Sequence, residues 1–334
     1  KENPDYYFYS AETGNLNYYL IGGKTLKDIV TNYTYLTGRT PLPQKWTLGY
    51  QQSRWGYSAS QKMVQDIVDS MHKYDLPFDV IHLDIDYMRG YRVFTWNDEA
   101  YQGNPKKFVT DLKATGTKIV AIIDPGVKKD PGYNIYDQGI KNDYFVKDPA
   151  GNVYVNQVWP GNAVFPDFGR QAVQKWWGKN DQFLTDMGVA GIWNDMNEPA
   201  SFQGEIPQDI VFSDHDQPST HKKMHNVYGH NMAKATYDGV KRATDRRPFV
   251  ITRAAYSGTQ KYSTVWTGDN HSIWPHLQLL IPQLCNLGIS GFTFAGTDIA
   301  GFGSDATPEL LTRWIEAAIF SPLLRNHSAM GTRA

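Results

Sequence analysis

The sequence has little of three features that would assign a chain to a broad class at once. It has one cysteine, Cys285, in 334 residues, so no disulfide can form within the chain. Its 33 Lys and Arg are balanced by 34 Asp and Glu, which leaves no positive surplus for gripping the phosphates of nucleic acid. Its apolar stretches, such as Leu277–Leu280, stop well short of the roughly 20 residues of a membrane span. We therefore expect neither nucleic acid nor a membrane as a partner.

Aromatic residues, in contrast, are abundant. The chain contains 10 Trp, 21 Tyr and 15 Phe, which is 14% of its residues. Hydrophobic residues make up 41% and charged residues 20%, a balance typical of a globular protein. The length suits two ordinary domains or one large α/β barrel.

Short apolar runs, each ending in polar or acidic residues, recur along most of the chain. They are Trp46–Gln51, Val80–Asp84, Lys118–Asp124, Gly191–Asp195, Pro248–Arg253, Thr264–Asp269, Ser290–Thr297 and Ile319–Arg325. Several are separated by amphipathic helical patterns, and this alternation is typical of a parallel sheet that is buried on both faces. Eight such units predict a (β/α)8 TIM barrel, with an open doubly wound sheet as the alternative.

Deviations from an ideal barrel are also predicted. Arg253 and Val265 are too close for a crossover helix, whereas insertions of about 127–188 and 199–247 follow the third and fourth strands. Residues 1–40 are interpreted as the end of an N-terminal β domain, with strands in Asp5–Ile21, and a linker helix over Thr25–Leu36 closed by Gly38. Residues 41–334 are the expected barrel, and it lacks its last helix because little chain follows the eighth strand. The chain is therefore expected to be part of a longer protein.

Carboxylates crowd the ends of the predicted strands, where the reacting groups of such barrels stand. They are Asp84, Asp86, Asp124, Asp195, Glu198, Asp269 and Asp298. Metal binding with nearby His82, His271 and His327 is one interpretation, but no His/Cys spacing of a known metal motif supports it. A phosphate loop is weaker, because the Gly301–Gly303 run lacks the lysine and the strand-turn-helix context.

Glycoside hydrolysis explains the carboxylates and the aromatic residues together. Two carboxyl groups that flank a glycosidic bond can perform the chemistry, and aromatic rings can stack on the apolar faces of sugars. The aromatic residues at or just beyond strand ends are Trp55, Trp159, Trp193, Trp266, Trp274 and Phe302.

Six motifs then identify a family. The segment Gly191–Pro199, reading GIWNDMNEP, resembles the nucleophile signature of glycoside hydrolase family 31, the α-glucosidase family. Segments 82–88, 158–161, 266–270, 296–302 and 325–327, which read HLDIDYM, VWPG, WTGDN, GTDIAGF and RNH, resemble further motifs of that family in its order. The resemblance covers the chain from about residue 25 to its end.

The resemblance implies a retaining mechanism, with Asp195 as nucleophile and Asp269 as general acid/base. It further implies that Asp84, Arg253, Asp298 and His327 bind sugar hydroxyls, and that Trp159, Trp193, Met196, Trp266, Phe302 and Val127 wall the pocket. The expected activity is exo-acting removal of terminal α-linked glucose from malto- or isomalto-oligosaccharides, without cofactor or metal. An α-xylosidase, an α-glucan lyase or an inactive sugar-binding module stays open as the alternative.

Other residues receive structural interpretations. Asp86 and Asp124 are expected to be helix caps or turn residues, Trp176 and Trp177 core residues, and Glu198 a support of its loop. Glycosylation sequons occur at Asn32, Asn270 and Asn326. Because a glycan at Asn270 or Asn326 would block the expected site, we expect a cytoplasmic protein.

Overall fold

The computed structural model describes residue 6 and residues 8–333. Residues 1–5, 7 and 334 of the predicted ranges 1–40 and 41–334 lie outside this part of the chain. The α-helices are α1 (Leu26–Thr37), α2 (Gln61–Lys73), α3 (Pro105–Ala114), α4 (Asn134–Lys141), α5 (Gln171–Asn180), α6 (Gln182–Met187), α7 (His221–Thr244), α8 (Trp274–Ile289) and α9 (Pro308–Ala318). No helix in the described ranges is long and apolar enough to cross a membrane.

The strands form one large parallel sheet and two small antiparallel ones. They are β1 (Tyr50–Gln52), β2 (Val80–Leu83), β3 (Lys118–Ile123), β4 (Val127–Lys128), β5 (Asn156–Val158), β6 (Gly161–Val164), β7 (Gly191–Asn194), β8 (Val211–Asp214), β9 (Gln217–Thr220), β10 (Val250–Thr252), β11 (Thr264–Trp266), β12 (Ala295–Gly296), β13 (Asp298–Ile299) and β14 (Leu324–Asn326). The parallel sheet has the order β12-β11-β10-β7-β3-β2-β1-β14-β13.

The parallel sheet closes on itself to form the predicted (β/α)8 barrel. Its two terminal strands, β12 and β13, are halves of one segment that is interrupted at Thr297. β12 pairs with β11 and β13 pairs with β14, so the seventh barrel strand bonds to both of its neighbours. A Cβ at Gly296 would lie 2.2 Å from the Leu323 carbonyl oxygen, so the close approach to the chain before β14 requires glycine there.

The connections follow the predicted pattern. The chain from Arg253 to Ser263 contains a single 3-10 turn, Thr259–Lys261, instead of an α-helix. The insertion after β3 forms an antiparallel sheet of order β4-β6-β5 with helix α4 before the crossover helices α5 and α6. The insertion after β7 forms the β8–β9 hairpin before α7. Both insertions therefore begin at the carboxyl end of the barrel.

Sequence-based boundaries need correction at three barrel strands. The first strand begins at Tyr50, because Lys45–Leu48 forms a 3-10 helix in which Trp46 packs edge-on against Phe249 at 5.4 Å. The seventh and eighth strands are shorter than the predicted segments Ser290–Thr297 and Ile319–Arg325. Apolar character alone extended these predictions into the turns that precede the strands.

The N-terminal segment differs most from expectation. The predicted strands within Asp5–Ile21 are wrong for the described residues, since residues 8–24 form no strand. Phe8, Tyr18 and Tyr19 are at least 78% exposed, and a strand without a neighbour has nowhere to place its backbone hydrogen bonds. Helix α1 is confirmed: Thr25 and Asp28 form a capping box, and Gly38 ends the helix with a φ of 111°.

Helix packing against the barrel follows the amphipathic patterns. In α2, Val64 and Val68 are fully buried whereas Met63 is exposed. Trp177 of α5 is fully buried and Trp176 nearly so, which confirms their interpretation as core residues. The Gly178 and Gly239 backbones meet where α5 crosses α7, and a Cβ on Gly239 would lie 2.3 Å from the Gly178 oxygen.

Candidate active site

The carboxyl ends of the barrel strands gather acidic side chains from distant parts of the sequence. Asp84 follows β2, Asp124 follows β3, Asp195 follows β7 and Asp298 begins β13. Asp269 stands three residues beyond β11. Parallel strands point their carboxyl ends to the same face, so these side chains converge on one mouth of the barrel.

Arg253 lies between Asp195 and Asp269. Its Nη1 lies 3.1 Å from Asp195 Oδ1 and 3.9 Å from Asp269 Oδ2. Its other nitrogens are held by Glu198, with Nε to Oε1 at 2.8 Å and Nη2 to Oε2 at 3.0 Å. Glu198 therefore fixes the orientation of the guanidinium group, which gives its predicted supporting role a specific partner.

The loop after β7 is anchored to the end of β10. Asn197 Nδ2 donates to Thr252 Oγ1 at 2.8 Å, and Asn197 Oδ1 accepts from the Ala254 amide at 3.0 Å. The Met196 amide donates to Asp195 Oδ1 at 2.8 Å. These bonds place Asp195 and Arg253 on two loops that are fastened to one another.

Burial and charge act in opposite directions on Asp195. Desolvation raises the pKa of this carboxyl to about 6, Arg253 pulls the pKa down, and Asp269 pushes it up. The Asp195 side chain is 14% exposed, whereas that of Asp269 is 48% exposed. The cation thus keeps a buried carboxylate ionised near neutral pH while Asp269 faces solvent.

Asp84 and His327 form a second polar pair. His327 Nε2 lies 3.8 Å from Asp84 Oδ2, and its Nδ1 lies 2.7 Å from Ser53 Oγ. Burial lowers the pKa of His327 well below its usual value, with Arg325 as a further cause, so the imidazole is neutral. Burial raises the pKa of Asp84 to about 8. Both groups can therefore offer a donor as well as an acceptor to a hydroxyl group.

A buried ion pair lies below the site. Arg325 Nη2 bonds Asp298 Oδ1 at 2.8 Å, and both side chains are fully buried. The guanidinium carbon lies 4.6 Å from the Trp193 ring centroid and 5.0 Å from that of Trp266. Burial raises the pKa of Asp298 to about 7 although Arg325 opposes the rise. This stack closes the bottom of the site.

Aromatic rings complete the wall. Trp193 and Trp266 meet edge to face at 5.7 Å, and Phe302 stacks on His327 at 4.9 Å. The Phe302 amide donates to the Asn270 carbonyl at 2.7 Å, which fastens the loop after β13 to the loop that carries Asp269. The predicted wall residues on the barrel strands are thus brought together.

The two predicted wall residues of the insertion have other neighbours. Trp159 packs against Trp55 at 5.1 Å and against Phe202 at 4.8 Å. Val127 is fully buried in β4 and pairs with Val164 of β6. Val127 belongs to the small sheet and Trp159 to its β5–β6 turn, and their contacts with a sugar remain a prediction.

Two strand-end aspartates with the same predicted structural role behave differently. Asp86 Oδ1 accepts a bond from the Tyr91 hydroxyl at 3.2 Å inside a local turn, which fits the prediction. Asp124 is 5% exposed, caps no helix, and its Oδ1 has no hydrogen-bond partner among the described residues. The Asp124 side chain therefore forms neither of the predicted bonds, a helix cap or a turn, with any described residue, and sequence reasoning gave Arg325 no role although the RNH motif contains it. For Asp124 the available signal was position, because it follows its strand as Asp84 and Asp195 do.

The residues that the structure describes include no cluster of three His, Cys, Asp or Glu side chains arranged to hold a metal ion. His82, one of the histidines considered as a ligand, instead lies 2.7 Å from Gln51 Oε1 through its Nε2. Asp195, Asp269 and Asp298 each face a guanidinium group.

Known proteins are similar in sequence to nearly the whole of this chain. Residues 40–334 match the model of the TIM-barrel domain of glycosyl hydrolases family 31. Alpha-glucosidase 2 of Bacillus thermoamyloliquefaciens is 51% identical over 332 residues, which are 98% of this chain and 42% of that protein. A probable glucan 1,3-alpha-glucosidase of Arabidopsis thaliana is 36% identical over 98% of this chain and 36% of its own length.

Solved structures give the same result. The ER glucosidase II complex of a catalytic subunit with the binding domain of the regulatory subunit is 38% identical, with a TM-score of 0.88 over 93% of this chain and 34% of that chain. A family 31 alpha-glucosidase from Bacteroides thetaiotaomicron is 39% identical, with a TM-score of 0.82 over 93% of this chain and 51% of that chain. The chain spans about a third to a half of the length of these proteins.

Proposed function

Because the chain belongs to family 31 of the glycosyl hydrolases, we propose that the protein containing it is a retaining, exo-acting α-glucosidase. It hydrolyses terminal, non-reducing α-linked glucose from oligosaccharides, with Asp195 as nucleophile and Asp269 as general acid/base. The observation that best supports these roles is that one atom, Arg253 Nη1, lies within 4 Å of both carboxylates.

The separation of the two acids favours direct attack. Since Arg253 Nη1 lies 3.1 Å from Asp195 Oδ1 and 3.9 Å from Asp269 Oδ2, these two oxygens are at most about 7 Å apart. That limit fits the roughly 5–5.5 Å of retaining enzymes and excludes most of the roughly 6.5–9.5 Å range in which inverting enzymes hold a water.

The surroundings of Asp195 and Asp269 suit them to different roles. Asp195 Oδ1 accepts bonds from Arg253 and from the Met196 amide, whereas Oδ2 bonds no described residue and is the oxygen that attacks. It attacks the anomeric carbon while the more exposed Asp269 gives its proton to the leaving oxygen. Asp269 then takes a proton from water, and the resulting hydroxide displaces the Asp195 carboxylate from the sugar.

The substrate pocket follows from the neighbouring groups. Asp84 and His327 bind hydroxyls of the terminal glucose, together with Arg253 and Asp298, while Trp193, Trp266, Phe302 and Met196 contact its apolar faces. Trp159 and Val127 extend the wall from the insertion. Since Arg325 and Asp298 fill the bottom, a sugar chain has no exit there, which supports exo action.

Several wider properties belong to the same proposal. The substrates are α-glucosides such as malto- or isomalto-oligosaccharides, and residues 1–40 and 41–334 are the end of an N-terminal domain with its linker and the catalytic barrel. We also propose a cytoplasmic location, because Asn326 is 5% exposed and bonded to the Ile299 carbonyl, which leaves no room for a glycan.

The proposal is tested on the full-length protein with p-nitrophenyl α-glucoside and α-xyloside. Release of p-nitrophenol from neither substrate contradicts the hydrolase, and preference for the xyloside contradicts the glucosidase. Asp195→Asn is expected to lower kcat by at least about 1,000-fold. Asp86→Asn, which changes another strand-end acid whose Oδ1 accepts from the Tyr91 hydroxyl, is the matched control. NMR of the first product must show α-glucose, because β-glucose would mean inversion.

Replacing Asp269 is expected to change activity in a way that depends on the leaving group. Asp269→Ala should slow substrates with poor leaving groups most, since p-nitrophenol departs with little help from an acid. Azide should partly restore turnover by attacking the glycosyl intermediate without needing a general base. Equal loss on maltose and on the nitrophenyl substrate, without azide rescue, would assign the proton transfer to another residue.

A further inference from the structure

Asp124 is the cross-strand neighbour of the proposed nucleophile on the β3 side, as Arg253 is on the β10 side. Strands β3 and β7 pair in parallel with Ile123 opposite Asn194, so the next residues in that register are Asp124 and Asp195. Neighbouring strands lie roughly 5 Å apart, which puts the two carboxyl groups in adjacent positions at the mouth of the barrel.

The Asp124 side chain has none of the contacts that an ordinary structural aspartate makes. It is 5% exposed, its Oδ1 has no hydrogen-bond partner among the described residues, and it caps no helix because the next element is strand β4. A buried carboxylate without donors is costly, whereas a protonated carboxyl group is much less so.

The charges that face Asp124 come from every neighbouring strand end. Asp84 lies at the end of β2, Asp195 and Glu198 follow β7, and Arg253 follows β10. Arg253 is the one cation of this group, and its nitrogens are already bonded to Asp195 and Glu198.

Tyr87, behind β3, offers no help to an ionised Asp124. Its hydroxyl donates to the Ile122 carbonyl at 2.9 Å, so its proton is already used. Burial raises the pKa of Asp124 well above its usual value, and the charge of Asp195 adds to the rise. When two carboxyl groups share a site with one cation, the group nearer the cation stays ionised and the other holds a proton.

We infer that Asp124 is a positioning residue that acts on Asp195: it stays protonated, and its hydroxyl donates a hydrogen bond into the nucleophile's site. The inference rests on the proposed function of Asp195. A neutral Asp124 keeps the negative charge on the carboxylate that must attack, and its donor helps to hold that carboxylate in one orientation.

The test compares Asp124→Ala with Asp124→Asn in the full-length protein, using the pH dependence of kcat/KM on p-nitrophenyl α-glucoside. Alanine removes the donor, so kcat/KM should fall about 10- to 100-fold and the acid limb should move up by about one pH unit. Asparagine keeps a neutral donor of similar size, so it should recover most of that loss and leave the acid limb near its wild-type position.

Two patterns would overturn the inference. If Asp124 is ionised, both variants remove a negative charge about 5 Å from Asp195, and the acid limb moves down by about two units. If Asp124 only fills space, both variants lower activity without moving the limb. Asp181→Asn is the control, because Asp181 is fully buried with its pKa raised to about 8 but precedes α6 and does not follow a barrel strand.

Infrared difference spectra provide a readout that does not need activity. Subtracting the Asp124→Asn spectrum from that of the wild type at about pH 7 should leave the C=O band of a protonated carboxyl group. Loss of a carboxylate band instead refutes a protonated Asp124. A protein that shows the carboxyl band but hydrolyses no α-glucoside would disprove the proposed function and leave the protonation of Asp124 established.

Discussion

Replacing Arg253 with glutamine separates the two tasks that the structure gives to this residue. Its guanidinium lies 3.1 Å from Asp195 and 20% of its side chain is exposed. At an effective dielectric constant of about 20, the direct attraction is about 5 kcal/mol. Because Glu198 shares the cation and solvent screens part of the field, we take the net attraction as about 2 kcal/mol, which equals about 1.5 pKa units.

The variant should therefore raise the pKa of Asp195 from about 6 to a value about 1.5 units higher. At about pH 6.5 the ionised fraction then falls from about three-quarters to about a tenth, an eightfold loss of kcat/KM. At about pH 8.5 Asp195 is almost fully ionised in both the wild type and the variant, so this loss disappears. Any loss caused by missing contacts with sugar hydroxyls remains at every pH.

The assay is kcat/KM on p-nitrophenyl α-glucoside between about pH 5 and pH 9, since this leaving group needs little acid catalysis. Arg92→Gln is the matched control, because Arg92 pairs with Asp130 at a similar exposure but outside the site. A constant ratio of wild type to Arg253→Gln across the range would refute the electrostatic argument and leave Arg253 as a substrate contact alone.

Other predictions concern the free energy of unfolding, measured by urea denaturation of the full-length protein. Arg325→Met leaves Asp298 buried without its cation and should cost about 3–5 kcal/mol. Since Asp298 has a raised folded pKa, stability falls as pH rises through about 7, so the cost should be larger above that pH than below it; an equal cost at both would contradict the pairing. Gly239→Ala should destabilise by about 1–3 kcal/mol because its Cβ would meet the Gly178 backbone at 2.3 Å. Gly288→Ala, with nothing within 4 Å, should stabilise by about 0.5–1 kcal/mol, and the reverse order would contradict the packing.

The barrel was predictable because its signal is repeated. Each buried strand is a short apolar run that ends in a polar residue, and this pattern survives errors of a few residues at any one strand. The N-terminal segment gave a misleading signal, since alternating aromatic residues predict strands only where another strand can pair with them. Tyr18 and Tyr19 have no such partner in the described structure and lie exposed.

The sequence predicted which acidic residues form the site but not the order of their pKa values. Asp84 and Asp195 follow strands β2 and β7, Asp298 begins β13 of the same sheet, and nothing in their sequence positions ranks their pKa values. Their pKa values are raised to about 8, about 6 and about 7 respectively, with burial as the main cause in each case.

The order of these pKa values depends on whether a guanidinium group lies close to each carboxyl group and on how completely the carboxyl group is buried. Asp195 has Arg253 at 3.1 Å and Asp298 has Arg325 at 2.8 Å, although the complete burial of Asp298 offsets more of its partner's effect. Among the described residues, Asp84 has no ion pair with a guanidinium, and the Ile85 amide, which donates to its Oδ1 at 2.7 Å, lowers its pKa less than burial raises it. The proposed nucleophile therefore combines partial exposure with a close guanidinium, which the pairing of β7 with β10 brings beside it. That pairing joins residues 58 positions apart, from Asp195 to Arg253, so the ion pair depends on the fold and not on a local sequence pattern.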